Sequence, residues 1–496
     1  MLNRISSRIP GLLSAIFLKS DEKKWGVLRF LWLAGLYLLG IFLWGKFLSW
    51  NTAPLDYHDW AGITMPRLAM LQDAFRAGVF PFHVLDTAAL HDVSDRFLVL
   101  PDVITTPQTL LLLFGNLNTF VLVDILLHYT IGMAGLLWLR SQKNLSLFSF
   151  TILFLLFNFN GYILAHYSVG HFTWGGYFLF PIVFGLLFEF TAEKIGWRWT
   201  GLLCLTLFYI VLAGGQHHFV WILLFISPLL LTTGKNAKWV LAAILFSGLL
   251  SAVRLLPPAL ALSVYEKNQN YNFVLGYPSL QHLLQAMVLP DVPVQSPILP
   301  FGLNSFEENI WEFDFYVGVL GAAFIIYFGI WHWFKEHFKE YVQFLLPVFF
   351  VLFMSIGSNY WIIRDSGFPL FGSERVASRM VAVPMTFLIV LAVIFFQKWL
   401  DTHYQRLSVL AASGIFLAFL ANDLWENLKL WRINTRANYF QPLQIDLSGS
   451  VVANHADPLY FTVLGIGLGI TVVTAIFLSI MSWREHRLQI KQTEQM

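Results

Sequence analysis

The sequence predicts an all-α, polytopic membrane protein: a bundle of about twelve transmembrane helices with interfacial helices in its first outer loop. Composition is the first reason, with 57% hydrophobic, 17% aromatic and only 12% charged residues and a mean hydropathy of +0.64. A soluble globule of 496 residues could not cover such a chain with polar surface. The second reason is the recurrence of apolar runs close to the roughly 20 residues that one crossing needs. The third is the basic residues, which fall in every second connection. A net charge of +2 leaves no electrostatic case for nucleic acid, and the single cysteine, Cys204, can form no intrachain disulfide.

In chain order, crossings are expected near 27–48, 117–139, 145–164, 174–191, 199–213, 218–232, 238–256, 315–333, 342–357, 377–397, 407–421 and 458–482. Arg4, Arg8, Lys19, Lys23, Lys24 and Arg29 precede the first run, and no small-residue cleavage site closes it, which predicts a retained helix rather than a removed signal peptide. No repeat or linker divides the chain, so 1–496 is expected to form a single integral membrane domain.

With the N-terminus inside, each inner connection carries at least two basic residues, among them Arg140, Lys143, Lys194, Arg198, Lys335, Lys339, Lys398 and Arg406. Both termini are then cytoplasmic in a multi-pass protein of the cell membrane. The extracytoplasmic loops are 49–116, 254–314 and 422–457, and the first holds seven acids from Asp56 to Asp102 against three arginines. Inner loops are too brief for a nucleotide-binding domain, so any chemistry is expected outside.

The first outer loop opens with Asp56 and Asp59 around His58. Two acids and an imidazole at the mouth of a membrane helix suit a site; a solvated loop with turn-capping aspartates is the plainer alternative. Thr64, Pro66 and apolar residues at three- and four-residue spacing up to Gly78 then predict an amphipathic helix lying along the membrane surface. Pro107 to Gly115 reads as a second interfacial or re-entrant helix.

Asp124 and His128 stand at i and i+4 within a crossing and are expected to satisfy each other, with Asn158 and Asn160 as further candidate partners. His166, His171, His217 and His218 fall at outer helix ends rather than mid-helix, where haem or copper ligands would sit. That placement suits headgroup and carbonyl contacts or hydrogen bonds to a sugar. Arg254, Arg375 and Arg379 converge on the same face, where a planar guanidinium either snorkels or grips an anion; lipid-linked phosphate is the obvious anion there. The 254–314 loop adds Tyr265, Tyr271, Tyr277, Glu307, Glu308, Trp311, Glu312 and Asp314, a mix suited to holding a sugar.

Taken together, the acid-bearing first loop, the FRAGVFP that ends its helix, the run from Gly161 to Glu189, FDFYVGVLGAAF and RVASRMVAVP resemble the GT-C superfamily of membrane glycosyltransferases, nearest to the bacterial YfhO-like branch. The resemblance implies transfer of a sugar, with inversion, from a polyprenyl-phosphate carrier to a glycan, lipid or protein acceptor outside the cell. It puts Asp56 and Asp59 in the catalytic position, as base or as ligands of a divalent metal such as Mg or Mn. It puts Arg254, Arg375 and Arg379 on the carrier phosphate. Of the two acids, Asp56 comes first after the helix and is favoured, with Trp60 beside Asp59 keeping the choice close.

Independently of the family, displacing a phosphate from an anomeric carbon needs a carboxylate for the acceptor hydroxyl and cations for the leaving group. A transporter or flippase is the main rival. It would carry related halves with binding breaks at the midplane, and no such symmetry is visible. A polymerase or ligase of lipid-linked glycans is nearer in chemistry.

Overall fold

Three spans with no polar face form the centre of the molecule. Those over Leu147–Ser168, Phe172–Phe190 and Ala377–His403 are buried along nearly all their length, the expected place for helices that are apolar all round. Gly26–Phe47, Leu407–Trp431 and Pro458–Ile490 are equally apolar but mostly exposed, and display Phe30, Leu38, Ile415, Phe419, Val473 and Ile476. So large an exposed apolar surface is stable only against hydrocarbon.

The computed structural model describes residues 11, 14–19, 23–85, 87–90, 92, 94–192, 195–261, 274–290, 310–366, 374–404, 406–443 and 452–494. Among these the chain is helical, with three isolated β-bridges. Eight helices are long and apolar enough to cross a membrane, or nine if Gly234–Leu250 and Ala252–Leu260, bent by 61°, make one span. This is fewer than the twelve expected. The segments near 199–213, 218–232 and 342–357 form the shorter apolar helices Trp197–Leu212, Gln216–Thr232 and Val342–Met354. Gly214, with φ +81°, ends the first of them.

Side-chain caps start the central helices. Asn116, Ser146 and Asn160 accept from the backbone N–H of Thr119, Ser149 and Ile163. Asn158 and Asn160 hold the break between Leu147–Asn158 and Gly161–Ser168, and do not serve Asp124 as expected. Asn158 donates to Phe154 O at 2.8 Å, and Asn160 to Leu156 O and the Tyr177 hydroxyl, each at 2.8 Å. Asp124 instead faces His128 Nδ1 at 3.2 Å, a nitrogen that donates to the Asp124 backbone carbonyl at 2.9 Å, and it accepts from Gln108 at 2.9 Å.

The predicted surface helix is present as Met65–Arg76, but it packs into the fold, with Leu68, Leu71 and even Arg67 and Gln72 buried. Gln72 donates to Leu112 O and Gly115 O, so the Pro107–Leu113 turn, and not the helix, offers Leu110, Leu111 and Phe114 to the surroundings. Thr64 is not its side-chain cap; a π-helical turn, Trp60–Thr64, leads into it.

Basic and acidic groups of the predicted inner loops cluster at the other end of the bundle. Lys398 pairs with Glu340, Lys143 lies over Phe188, and Glu485 accepts from the Arg198 N–H at 2.6 Å.

Candidate active site

The 49–116 loop is clasped to the turn between the first and second central spans, Leu147–Ser168 and Phe172–Phe190. Tyr57 and Trp60 both donate to Ser168 O, at 2.6 and 3.2 Å, and Thr64 donates to Gly170 O at 2.9 Å. Gly170 makes the approach possible: its φ is +99°, and a Cβ there would lie 2.3 Å from the Trp60 nitrogen. His58, itself at φ +45°, donates through Nδ1 to Val169 O at 3.2 Å. Together these contacts hold Asp59 against His171.

Asp59 lines a cavity of about 210 Å³ with Arg67, Asp102, His171, Trp174, His217, Glu374, Arg375 and Arg379. His171 Nε2 stands 3.1 Å from Asp59 Oδ2, and His171 Nδ1 stands 2.6 Å from His166 Nδ1. A carboxylate can only accept, so Nε2 of His171 carries the proton and its Nδ1 accepts from His166. The result is a carboxylate–imidazole–imidazole chain running inward from the cavity wall.

Burial works to raise the Asp59 carboxyl, but the His171 hydrogen bond, with the His171, His58 and Arg379 charges, outweighs it and holds the group at about 2. Burial pulls the His171 imidazole below its ordinary range, and Asp59 only partly restores it against Arg379. His171 is therefore neutral at pH 7, which leaves its hydrogen bond and Arg379 to keep Asp59 ionised.

Across the cavity, the buried Glu374 accepts from Val376 N–H at 3.0 Å, from Trp221 Nε1 at 2.9 Å and from His217 Nδ1 at 2.9 Å. Burial raises its carboxyl, yet His217, Arg379 and that N–H bring it down to about 2. Arg379 grips Glu312 through Nε at 2.5 Å and through Nη2, and its guanidinium lies 5.2 Å from the Trp174 ring centre. Trp174 in turn packs against His171, with ring centres 4.7 Å apart and planes tilted by 38°. Loop, histidines and arginine are thus one packed unit around a tryptophan.

The structure brings Asp59, His166, His171, His217, Arg375 and Arg379 together and leaves other candidates elsewhere. Asp56, the favoured acid, is not on the cavity wall; its carbonyl accepts from Leu443 N–H at 2.6 Å. His218 is buried behind Trp174 and Trp221. Arg254 does not reach the cavity: fully buried, it donates to Leu98 O and Leu100 O and faces Asp102 at 3.6 Å. It therefore braces the 98–102 wall from behind. Tyr265, Tyr271, Glu307 and Glu308 lie outside the described residues. Asp314 is taken up by the Tyr316 N–H and Trp431.

Sequence reading missed Glu374, Trp174, Asp102 and the Glu312–Arg379 pair. Only the S-E-R of SERVASR offered a signal, a carboxylate flanked by an arginine that needs neutralising once buried.

A divalent cation suits this donor set poorly. Mg and Mn take several oxygens, whereas Asp59 is engaged by two imidazoles, Glu374 already accepts three hydrogen bonds, Asp102 accepts from the Ile104 N–H and faces Arg254, and Asp56 is not on the cavity wall. Compared with known protein families, curated proteins and solved structures, the chain gives no match.

Proposed function

We propose that this protein is a GT-C-like membrane glycosyltransferase that works on the extracytoplasmic face, inverting, with a polyprenyl-phosphate-linked sugar as donor. The observation that carries the reading is the ionised Asp59, oriented by His171 and sharing one cavity with Arg375 and Arg379. In this reading all twelve apolar segments cross the membrane. The short helices Trp197–Leu212 and Val342–Met354 turn Leu205 and Phe349 outward as lipid-facing helices do, and the Lys143, Lys398 and Arg198 end faces the cytoplasm.

Asp59 accepts the proton of the acceptor hydroxyl as that oxygen bonds to the anomeric carbon. The carbon–oxygen bond to the carrier breaks on the opposite face of the sugar. The departing phosphate keeps the electron pair and is met by Arg375 and the Arg379 donors that Glu312 leaves over. His171, itself held by His166, orients the carboxylate.

The test is transfer in proteoliposomes from a panel of polyprenyl-phosphate-linked hexoses and pentoses. Asp59→Asn lowers turnover by roughly 100- to 10,000-fold, and Asp56→Asn stays within a few-fold of wild type. Near-normal transfer in Asp59→Asn overturns the assignment and returns a transporter, or a polymerase or ligase of lipid-linked glycans, to the front.

A further inference from the structure

A second polar cluster lies away from the cavity, where the first outer loop meets the strap before the last helix. Backbone bridges pair His83 with Arg96 and Val84 with Val452, while Asn454 accepts from the N–H groups of Phe82 and His83, each at 2.9 Å. This frame sets His83, Asp95 and His455 together: a ring nitrogen of each histidine and a carboxylate oxygen of Asp95 lie within 4.8 Å of one another.

The tautomers follow from the partners. His83 Nε2 faces Asp457 Oδ2 at 3.5 Å, and that carboxylate is fixed by Arg96, whose Nε donates at 2.6 Å. Asp457 can only accept, so Nε2 of His83 carries the proton and Nδ1 keeps its lone pair. That Nδ1 is buried and has no hydrogen-bond partner among the described residues. His455 Nδ1 is turned to Ala456 O at 3.3 Å, which leaves its Nε2 lone pair 2.7 Å from Asp95 Oδ2. Two acceptors at that distance need a positive species between them. A proton on His455 would answer that pair but would leave His83 Nδ1 orphaned, with the charged ring centred 3.9 Å from its own. A metal ion answers both.

We infer that His83, Asp95 and His455 form a divalent transition-metal site, with Asp457 orienting His83 from behind. Two imidazoles and one carboxylate are the donors of Zn2+ rather than of Mg2+ or Ca2+. A carboxylate holding the far nitrogen of a ligand imidazole is the usual supporting arrangement. His455 and Asp95 are about half exposed, 52% and 40%, so they are able to close on the ion while water fills the remaining position. The site ties the strap to the chain just ahead of Leu100, Pro101 and Asp102 in the cavity wall, and its role is to hold that wall.

The test is calorimetric titration of metal-stripped, full-length protein in detergent with Zn2+ alone. Wild type takes up one ion at this site at micromolar or lower concentration, and its unfolding midpoint rises with Zn2+. His455→Ala and Asp95→Asn weaken uptake at least tenfold and abolish the rise; Asp457→Asn weakens it about 10- to 100-fold. His337→Ala, in the separate His332, Glu336 and His337 group, leaves this uptake intact. If wild type binds no Zn2+, or if affinity and stoichiometry survive in His455→Ala, the cluster is a protonated imidazole–carboxylate pair and the inference fails.

Discussion

His171 donates to Asp59 across 3.1 Å, joining two residues that the sequence separates by two whole apolar spans. The contact exists because Tyr57, Trp60 and Thr64 bind the carbonyls of Ser168 and Gly170, so the loop that carries the acid and the turn that carries the imidazole form one surface.

Gly170→Ala separates this clasp from ordinary loop packing. A Cβ at φ +99° meets the Trp60 backbone, so the variant loses about 2 to 5 kcal/mol. Gly62→Ala, with nothing within 4 Å of its Cβ, is close to neutral. Thermal unfolding in nanodiscs compares the two, and equal midpoints would show that the clasp is not tight.

Arg379 and Glu312 are both largely buried, so removing either partner strands the other. Glu312→Gln and Arg379→Met should each cost about 3 to 5 kcal/mol, and the double variant should cost clearly less than their sum. A double-mutant cycle on unfolding free energies measures the coupling. Arg379→Lys keeps the charge but not the fork, and is expected to weaken donor binding while the fold survives.

Glu374 gives the clearest dependence of stability on pH. Its folded-state pKa, about 2, lies below the ordinary 4.5, so its contribution is complete above 4.5 and is lost as pH falls toward 2. His171 adds a second loss at higher pH. Its folded pKa is lowered, so below about 6.5 the unfolded chain takes up a proton that the folded chain refuses, and stability falls as pH drops. Unfolding midpoints should decline in both windows for wild type. The decline below pH 4.5 should flatten in Glu374→Gln, and the decline just below 6.5 in His171→Gln.

Sidedness is tested at Asp56, which is partly exposed and off the cavity wall. In a Cys204→Ala background, Asp56→Cys should react with an impermeant maleimide in intact cells. Labelling that appears only after permeabilisation reverses the orientation and the extracytoplasmic site with it.

The sequence by itself determined the solvent and the element type. With 57% hydrophobic residues in runs near the roughly 20 residues of a helical crossing, too long for barrel strands, the backbone satisfies its hydrogen bonds as helices. Local patterns also sufficed for the Asp124–His128 pair, because i and i+4 face each other on any helix, and for grouping the first-loop acids, the histidine turns and SERVASR at one end of the bundle. Tertiary structure decided the rest. Which helices are central cannot be read from apolarity: Ala377–His403 and Pro458–Ile490 have the same hydropathy, yet one is wholly buried and the other mostly exposed. The choice of Asp59 over Asp56 depends on a left-handed His58 and on Gly170, which turn one carboxylate toward His171 and leave the other outside. Arg254 and Arg379 look alike in the chain, but one is consumed by the carbonyls of the 98–102 wall and the other stands at the cavity with Glu312. A guanidinium's role is set by which acceptors reach it first, and those acceptors come from segments that only folding brings together.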